Sequence, residues 1–279
     1  MASSFFTRLT ETLSAPPATF SWGPDTPLSD VSAPLTAIAV YLLVVGALLL
    51  HMRARGGKAY AVPTAVAAGH NLVLSLGSLA MLVGACSEVL ARVRAVEGGK
   101  WDWFFCERAD QVPTSGALFF WSYVYYLSKY YELLDTVIGI LRGSRMPNFK
   151  LQVYHHVCVV LMAWFWMETA QSLQFGGLLF NTLVHVVMYA YYTARVLKIH
   201  VPKVLKMAIT KLQVAQFTTS FVLLCWSFRY EWQRRAAGKR SCMGYAKEDY
   251  YSMWYNVVFN ATLLVSFVGV FNVNKKKMV

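Results

Sequence analysis

Hydrophobic residues dominate seven stretches of the chain, which are separated by short polar and mostly charged connections. A helix needs about 20 apolar residues to cross the hydrocarbon core of a bilayer, and each stretch comes near or exceeds that length. The stretches cover residues 31–52, 62–89, 115–142, 150–167, 172–196, 208–228 and 251–271. The pattern predicts an all-α, polytopic integral membrane protein built as a bundle of seven transmembrane helices.

The composition agrees with this class. The chain is 57% hydrophobic with a mean hydropathy of +0.42, whereas soluble domains contain roughly 45–50% apolar residues. Residues 1–30 have no continuous apolar run, so we expect no signal peptide but a polar tail with an interfacial segment. We therefore divide the chain into a tail (1–30), a single seven-helix domain (31–272) and a basic C-terminal tail (273–279).

Positively charged residues predict the orientation, because cytosolic connections carry an excess of Lys and Arg. The connections after the first, third and fifth helices and the C-terminal tail share one side. Their basic residues are Arg53, Arg55, Lys58, Arg142, Arg145, Lys150, Lys198, Lys203, Lys206, Lys275, Lys276 and Lys277. The sixth connection falls on the opposite side and is also basic, so it disagrees with this assignment. The other connections together predict a lumenal N-terminus and a cytosolic C-terminus. The net charge of +12 therefore lies mainly in connections that could attract anionic headgroups or an anionic substrate, and it does not indicate nucleic-acid binding.

Two cysteines and two lysines indicate the cellular compartment. Cys106 and Cys242 fall in connections predicted to be lumenal, where a disulfide can form, so we predict that they are bridged; two unpaired thiols are the alternative. Lys276 and Lys277 stand four and three places from the end, as in a dilysine signal for retrieval to the endoplasmic reticulum. An ordinary basic anchor is the alternative for the lysines.

Four polar runs interrupt the apolar stretches at residues 129–136, 152–156, 185–192 and 210–216. Ionisable groups at membrane depth are costly and commonly mark function. At about 100° per residue, Lys129, Glu132 and Thr136 share one helix face, whereas Asp135 lies further round and is free to pair with another helix. The remaining stripes are Gln152, His155 and His156; Asn181, His185, Met188 and Tyr192, with Tyr189 beside them; and Gln213 with Gln216.

Simpler interpretations account for some of these residues. Asn181, Gln213, Gln216 and His70 suit hydrogen bonds between helices, and Lys129 with Glu132 could be a neutralised structural pair. Three imidazoles on neighbouring helices exceed what helix association requires. Two of them with a carboxylate could hold a single zinc. The three also suit imidazole acid–base or nucleophilic catalysis, or a proton relay in a seven-helix transporter or receptor.

The four runs together resemble the ELO family of very-long-chain fatty acid elongases. The matching motifs are Lys-x-x-Glu-x-x-Asp-Thr, Gln-x-x-His-His, His-x-x-Met-Tyr-x-Tyr-Tyr and Thr-x-x-Gln-x-x-Gln, in that order. The flanks at residues 120–123 and 171–172 are most similar to the plant ELO-like branch. Position 152 is Gln where the family often has His, and Gln cannot titrate.

The resemblance implies a very-long-chain 3-oxoacyl-CoA synthase in the endoplasmic reticulum membrane. It would condense acyl-CoA with malonyl-CoA and release CO2 and CoA, with no cofactor and no metal. His155 would carry the acyl group as an acyl-imidazole, while His156 and His185 would stabilise charge or transfer protons. Supporting or substrate-binding roles fall to Lys129, Glu132, Asp135, Gln152, Asn181, Met188, Tyr189, Tyr192, Gln213 and Gln216. The expected partners are membrane lipid, the reductases and dehydratase of the elongation cycle, and a second copy in a homodimer.

Overall fold

A computed structural model describes residues 2–95, 101–105, 114–144, 148–171, 173–239 and 251–276. Every regular element within these ranges is helical, which confirms the all-α prediction. Besides a short 3-10 turn at Pro17–Thr19, the helices are α1 (Ala2–Ser14), α2 (Ser32–Ala54), α3 (Thr64–Ala95), α4 (Asp102–Phe105), α5 (Ala117–Glu132), α6 (Leu134–Leu141), α7 (Phe149–Glu168), α8 (Leu173–Val196), α9 (Lys203–Ala236) and α10 (Tyr251–Lys276).

Five of the described helices, α2, α3, α8, α9 and α10, are long and apolar enough to cross a membrane. Their outward surfaces are strongly apolar: Leu43 on α2 is 73% exposed and Val265 on α10 is 75% exposed. Such surfaces are stable only against lipid, so the protein is a multi-pass membrane protein. The predicted number of seven crossings and the predicted orientation stay predictions.

The prediction of one continuous helix over residues 115–142 is wrong in detail. The helix is interrupted at Leu133, where the amide nitrogen bonds the Tyr130 carbonyl oxygen at 3.3 Å, a tighter turn than the α-helical one. The backbone of Leu133 keeps near-helical angles (φ −58°, ψ −26°), so α6 continues roughly in the direction of α5. The interruption lies inside the motif at 129–136, between Glu132 and Asp135.

Six helix pairs close a ring. Going round it, α3 contacts α8, α8 contacts α9, α9 contacts α10, α10 contacts α7, α7 contacts α5, and α5 returns to α3. Helix α2 packs on the outside against α6 and α7. The ring brings His155 of α7, Asn181 of α8 and Gln216 of α9 to a common interior, which sequence periodicity alone does not specify.

Residues 20–29 pack against one end of the ring, which we call the capped end; α7 ends there, and α5, α8 and α10 begin there. Phe20 and Trp22 are buried in the main hydrophobic core. The Gly116 amide donates to the Phe20 carbonyl at 2.8 Å, and the Trp22 indole donates to a Glu168 carboxylate oxygen at 3.3 Å. This part of the predicted tail is therefore packed into the bundle, while the predicted domain division stays untested.

Gly143 ends α6 in the left-handed conformation (φ +60°), which glycine adopts without steric cost. A Cβ at this position would lie 2.9 Å from Cβ of Ala59, so the turn also needs the small residue for close approach. The predicted Cys106–Cys242 bridge, Arg145 and Lys277 lie outside the described residues, as do the side chains of Lys275 and Lys276.

Candidate functional site

Lys129 and Glu132 form a buried ion pair on the inner face of α5. The Lys129 ammonium donates to Glu132 Oε1 at 2.6 Å and to Asn181 Oδ1 on α8 at 3.1 Å, and it lies 3.9 Å from the centre of the Tyr125 ring. Lys129 is 1% and Glu132 2% exposed. Burying two charges is tolerable only with such close pairing and additional partners.

His185 on α8 extends this pair. Its Nδ1 lies 3.5 Å from Glu132 Oε1, an ion pair when the imidazole is protonated. The Tyr189 ring packs edge-on against the His185 ring, with 5.2 Å between centroids. Glu132 is thereby placed between an ammonium and an imidazole, which suits it to orient His185 and to stabilise positive charge there.

Asp135 forms hydrogen bonds with residues on helices other than its own, as its angular position on the helix permits. Oδ1 lies 2.7 Å from Nε2 of His70 on α3, and Oδ2 accepts the Tyr189 hydroxyl at 2.6 Å. His70 therefore joins α3 to α6. We call Lys129, Glu132, Asp135, His70 and His185 the charged cluster; Tyr189 connects its two carboxylate halves through the His185 contact.

His155 and His156 lie side by side on α7, with 5.7 Å between ring centroids. The His155 ring stacks on Phe259 of α10 at 6.0 Å, and the His156 ring packs edge-on against Tyr41 of α2 at 6.2 Å. Nδ1 of each ring is buried without a hydrogen-bond partner among the described residues. Buried polar atoms without partners are unusual in folded proteins and point to chemistry or to a ligand.

Gln152, the first residue of the histidine motif, faces α6. Its amide nitrogen donates to Thr136 Oγ1 at 3.3 Å, and Thr136 shares a 2.8 Å hydrogen bond with the Tyr41 hydroxyl. Gln152 therefore connects α7 to α6 and α2, and its neutral amide suits a positioning role.

The remaining predicted residues occupy different surroundings. The Gln213 amide lies 3.5 Å from the Met188 sulfur, so these two residues join α9 to α8. Gln216 and Asn181 line the interior cavity described below. Tyr192 is 42% exposed and lies at the edge, with its ring centroid 6.0 Å from that of Tyr189.

A narrow cavity of about 50 Å³ lies inside the ring of helices. His155 lines it, and so does Trp166, which lies near the opposite end of α7 at the capped end of the bundle. Most of the other lining residues are apolar, with a few amides and the two hydroxyls of Tyr125 and Ser220. They are Tyr125, Val159, Met162, Leu173, Gly177, Asn181, Gln216, Phe217, Ser220, Leu223, Leu224, Asn256, Phe259, Asn260 and Leu263.

A second cluster of polar side chains lies at the capped end. The Trp166 indole donates to Asn256 Oδ1 at 3.0 Å, the Asn256 amide donates to Gln171 Oε1, and the Gln171 amide donates to Ser252 Oγ. Thr169 shares a 3.1 Å hydrogen bond with Ser252. We call Gln171, Asn256, Ser252 and Thr169 the amide cluster; it is buried, neutral and internally paired.

Sequence reasoning missed several of these residues. Tyr125 lies outside the four motifs, yet its hydroxyl donates to Asn181 Oδ1 at 3.0 Å and its ring contacts Lys129. Tyr41, Trp166 and Asn256 lie outside the four motifs. The available signal for Tyr125 was its position four residues before Lys129, on the same helix face.

Among the described residues, no three His, Cys, Asp or Glu side chains come close enough together to hold a metal ion. The described donor groups instead pair with one another: Glu132 with Lys129 and His185, and Asp135 with His70. Such pairs can orient imidazoles and transfer protons.

The helical ring, its apolar cavity and the histidines at one end define a membrane protein with an ionisable centre inside the bundle. The family model described as the GNS1/SUR4 family, ELO, matches residues 26–277. The chain therefore belongs to the ELO family, which confirms the resemblance drawn from the four motifs.

Named relatives agree with this assignment. A candidate fatty acid elongase of Dictyostelium discoideum is 38% identical over 167 residues, which are 60% of this chain and 53% of that protein. Fatty acid elongase sre1 of the same organism is 33% identical over 213 residues, or 76% of this chain and 75% of sre1. The fatty acid elongase 3-like protein of Arabidopsis thaliana is 28% identical over 183 residues, or 61% of this chain and 60% of that protein.

Proposed function

We propose that this protein is the condensing enzyme of fatty acid elongation, a very-long-chain 3-oxoacyl-CoA synthase. It would join a long-chain acyl-CoA to malonyl-CoA and yield a 3-ketoacyl-CoA two carbons longer, with CO2 and free CoA. The observation that carries the proposal is the position of His155: in an ELO-family chain, this imidazole lines an apolar cavity between helices.

His155 is the proposed nucleophile. Its Nδ1 is buried and has no hydrogen-bond partner among the described residues. Because a substrate does not reach a buried nitrogen, Nε2 is the nitrogen assigned to attack the thioester carbon. A C–N bond forms as the C–S bond breaks. The imidazole loses one proton and the departing CoA thiolate takes up one, so the step balances without a further reactant. The acyl-imidazole that results is an activated acyl group, as covalent catalysis requires.

Malonyl-CoA then supplies the carbon nucleophile. Breaking its bond to the carboxylate releases CO2 and leaves the electron pair on the neighbouring carbon as an enolate. The enolate attacks the acyl carbon, forming the new C–C bond while the C–N bond to His155 breaks. The imidazole takes up one proton, for which His185 is the proposed donor and Glu132 the group that positions it.

The polar side chains next to the buried Lys129–Glu132 pair would support this chemistry. Asn181 Oδ1 already accepts from both Tyr125 and Lys129, so the Asn181 amide nitrogen is the side of this residue left for substrate. Together with His156, it is a candidate donor to negative charge that develops on the thioester oxygen.

CoA carries several negative charges, and the basic residues at the predicted cytosolic side suit it. One nitrogen of the Arg142 guanidinium is buried without a partner among the described residues, which makes Arg142 the first candidate for a phosphate contact. We further propose residence in the endoplasmic reticulum membrane, no cofactor, and association with the reductases and dehydratase that consume the product.

The test is incorporation of labelled malonyl-CoA into 3-ketoacyl product by membranes that contain the full chain, over a panel of acyl-CoA lengths. Wild type should form product, and His155→Ala should reduce it to background. The matched control is His51→Ala, because His51 is exposed and bonds only the nearby Tyr60 hydroxyl among the described residues; it should retain activity.

A second measurement isolates the first half-reaction. Wild type given acyl-CoA alone should release CoA and gain one acyl group on the peptide that contains His155, and His155→Ala should do neither. Acylation of another residue, or full activity of His155→Ala, would transfer the nucleophile elsewhere. No product with any acyl-CoA would favour the transporter or receptor alternative.

A further inference from the structure

The interior cavity follows one face of α7 from His155 towards the capped end. Val159, Met162 and Trp166 lie four, seven and eleven positions after His155, which is the spacing of a single helix face. At 1.5 Å per residue, His155 and Trp166 are about 16 Å apart along the helix axis. A chain attached at His155 would therefore run lengthwise between the helices and meet Trp166 at the far end.

Two contacts hold the Trp166 side chain across this end. Its indole N–H donates to Asn256 Oδ1 of α10 at 3.0 Å. Its ring stacks on Tyr125 of α5, with 5.7 Å between centroids and 18° between planes. A residue of this size with partners on two other helices has little rotamer freedom, so it presents a rigid surface to the cavity.

Gly177 of α8 makes room for the indole on the third side. A Cβ built at Gly177 would lie 2.3 Å from the Cη2 atom of Trp166, a distance that real side chains do not adopt. Gly177 also lines the cavity. The closure of this end thus depends on a Trp–Gly pair across α7 and α8, in which any larger residue at 177 must displace the indole.

The amide cluster lies next to Trp166 through Asn256. Its members Gln171, Asn256, Ser252 and Thr169 are at most 5% exposed and bond one another. Inserting a methyl group among them would leave buried donors or acceptors without partners, which is unfavourable. An apolar chain that passes Trp166 therefore gains no favourable surroundings in this direction.

We propose that Trp166, held by Asn256 and accommodated by Gly177, forms the floor of the acyl cavity and sets the longest acyl chain that the protein accepts. This inference rests on the proposed elongase function and identifies a specificity-determining residue within it. The amide cluster keeps the indole in place and makes the limit sharp, while His155 marks the other end of the measured length.

Two substitutions move the floor in opposite directions. Trp166→Phe removes part of the ring and its hydrogen bond, so the longest efficiently elongated acyl-CoA should increase by two carbons or more. Gly177→Ala adds a methyl group that pushes the indole into the cavity, so that limit should fall. Alanine is favoured over glycine within a helix, so loss of α8 is not the expected result.

Matched controls separate the floor from general damage. Trp164→Phe makes the same change two residues away, where the indole donates to the Ser29 carbonyl at 2.7 Å and does not line the cavity. Gly77→Ala on α3 adds a methyl group where no described residue outside the local helix backbone has a heavy atom within 4 Å. Both controls should keep the wild-type limit, even where total activity falls.

The readout is the chain length of the 3-ketoacyl product by mass spectrometry, with full-length protein in membranes and acyl-CoAs in steps of two carbons. Opposite shifts in Trp166→Phe and Gly177→Ala, with both controls unchanged, support the floor. Active variants with the wild-type limit, or an equal shift in Trp164→Phe, overturn it while leaving the proposed function intact. An inactive wild type would instead contradict the proposed function.

Discussion

The charged cluster and the amide cluster are both polar groups buried in an apolar bundle, but they are built differently. The charged cluster joins α3, α5, α6 and α8 through carboxylates, an ammonium and imidazoles. The amide cluster joins the end of α7 to α10 through neutral side chains that donate to and accept from one another. Net charge is absent from the second group.

The difference separates chemistry from packing. Neutral amides and hydroxyls that satisfy one another stabilise contacts between helices at modest cost. Ionised groups are far more expensive to bury, so their presence across four helices requires a further reason. The Nδ1 atoms of His155 and His156, which have no partner in the described part of the chain, lie on the same helix that carries Trp166 to the amide cluster, so α7 connects a reactive end to a structural end.

The largest effect is expected from breaking the Lys129–Glu132 pair. Glu132→Gln leaves the Lys129 ammonium buried without its counter-ion, so we expect a loss of about 3–5 kcal/mol in the free energy of unfolding, together with loss of condensation. Thermal unfolding in detergent and the malonyl-CoA assay measure the two effects.

The double variant Lys129→Met with Glu132→Gln separates stability from activity. Removing both charges should recover much of the lost stability, since replacement of a buried pair by neutral residues is commonly tolerated. Activity should remain lost because His185 still lacks its carboxylate. Recovery of activity together with stability would show that the pair is purely structural.

A smaller effect is expected at Asp135. Asp135→Asn keeps the size of the side chain but weakens the bonds to His70 and Tyr189, and hydrogen bonds to charged groups contribute about 1.5–3 kcal/mol. If that energy positions the reacting groups, the rate should fall roughly 10- to 100-fold. His70→Gln provides the comparison in the kcat and KM measurements: a similar fall in kcat with KM unchanged supports a shared positioning role, whereas unchanged kcat in both variants contradicts it.

The smallest effect on chemistry is expected in the amide cluster. Asn256→Leu removes partners from Trp166 and Gln171, so we expect a stability loss of about 1–3 kcal/mol. Turnover of short acyl-CoA should stay within a few-fold of wild type because the charged cluster is untouched. A loss of turnover as large as that of Glu132→Gln, in protein that is still folded by thermal unfolding, would remove the distinction between the two clusters.

Several features of the site follow from helical periodicity. The common face of Lys129 and Glu132, the separate direction of Asp135, and the line through Asn181 and His185 are properties of one helix each, and the structure places these residues accordingly. The interruption at Leu133 was not predicted, because its backbone angles remain near-helical and no Pro or Gly marks the position.

Contacts between distant helices could not be derived in this way. Tyr41 and Thr136 are 95 positions apart, and Trp166 and Asn256 are 90 apart. A periodic pattern shows which face of a helix is buried but not which helix covers it. Residues 20–29, which pack against the capped end, have no periodic pattern from which their position could be predicted.

The sequence by itself determined the membrane class, the approximate limits of the long helices, the polar faces within them and, through four ordered motifs, the ELO family. These depend on local hydrophobicity and on a repeat of 3.6 residues, which are present in any short window of the chain. Only the tertiary structure decided that six helix pairs close a ring, that His70 bonds Asp135, and that Trp166 meets Gly177 at the end of the cavity opposite His155. Those facts depend on side-chain packing between segments far apart in sequence, where steric fit and hydrogen bonding choose among many arrangements that the same pattern allows.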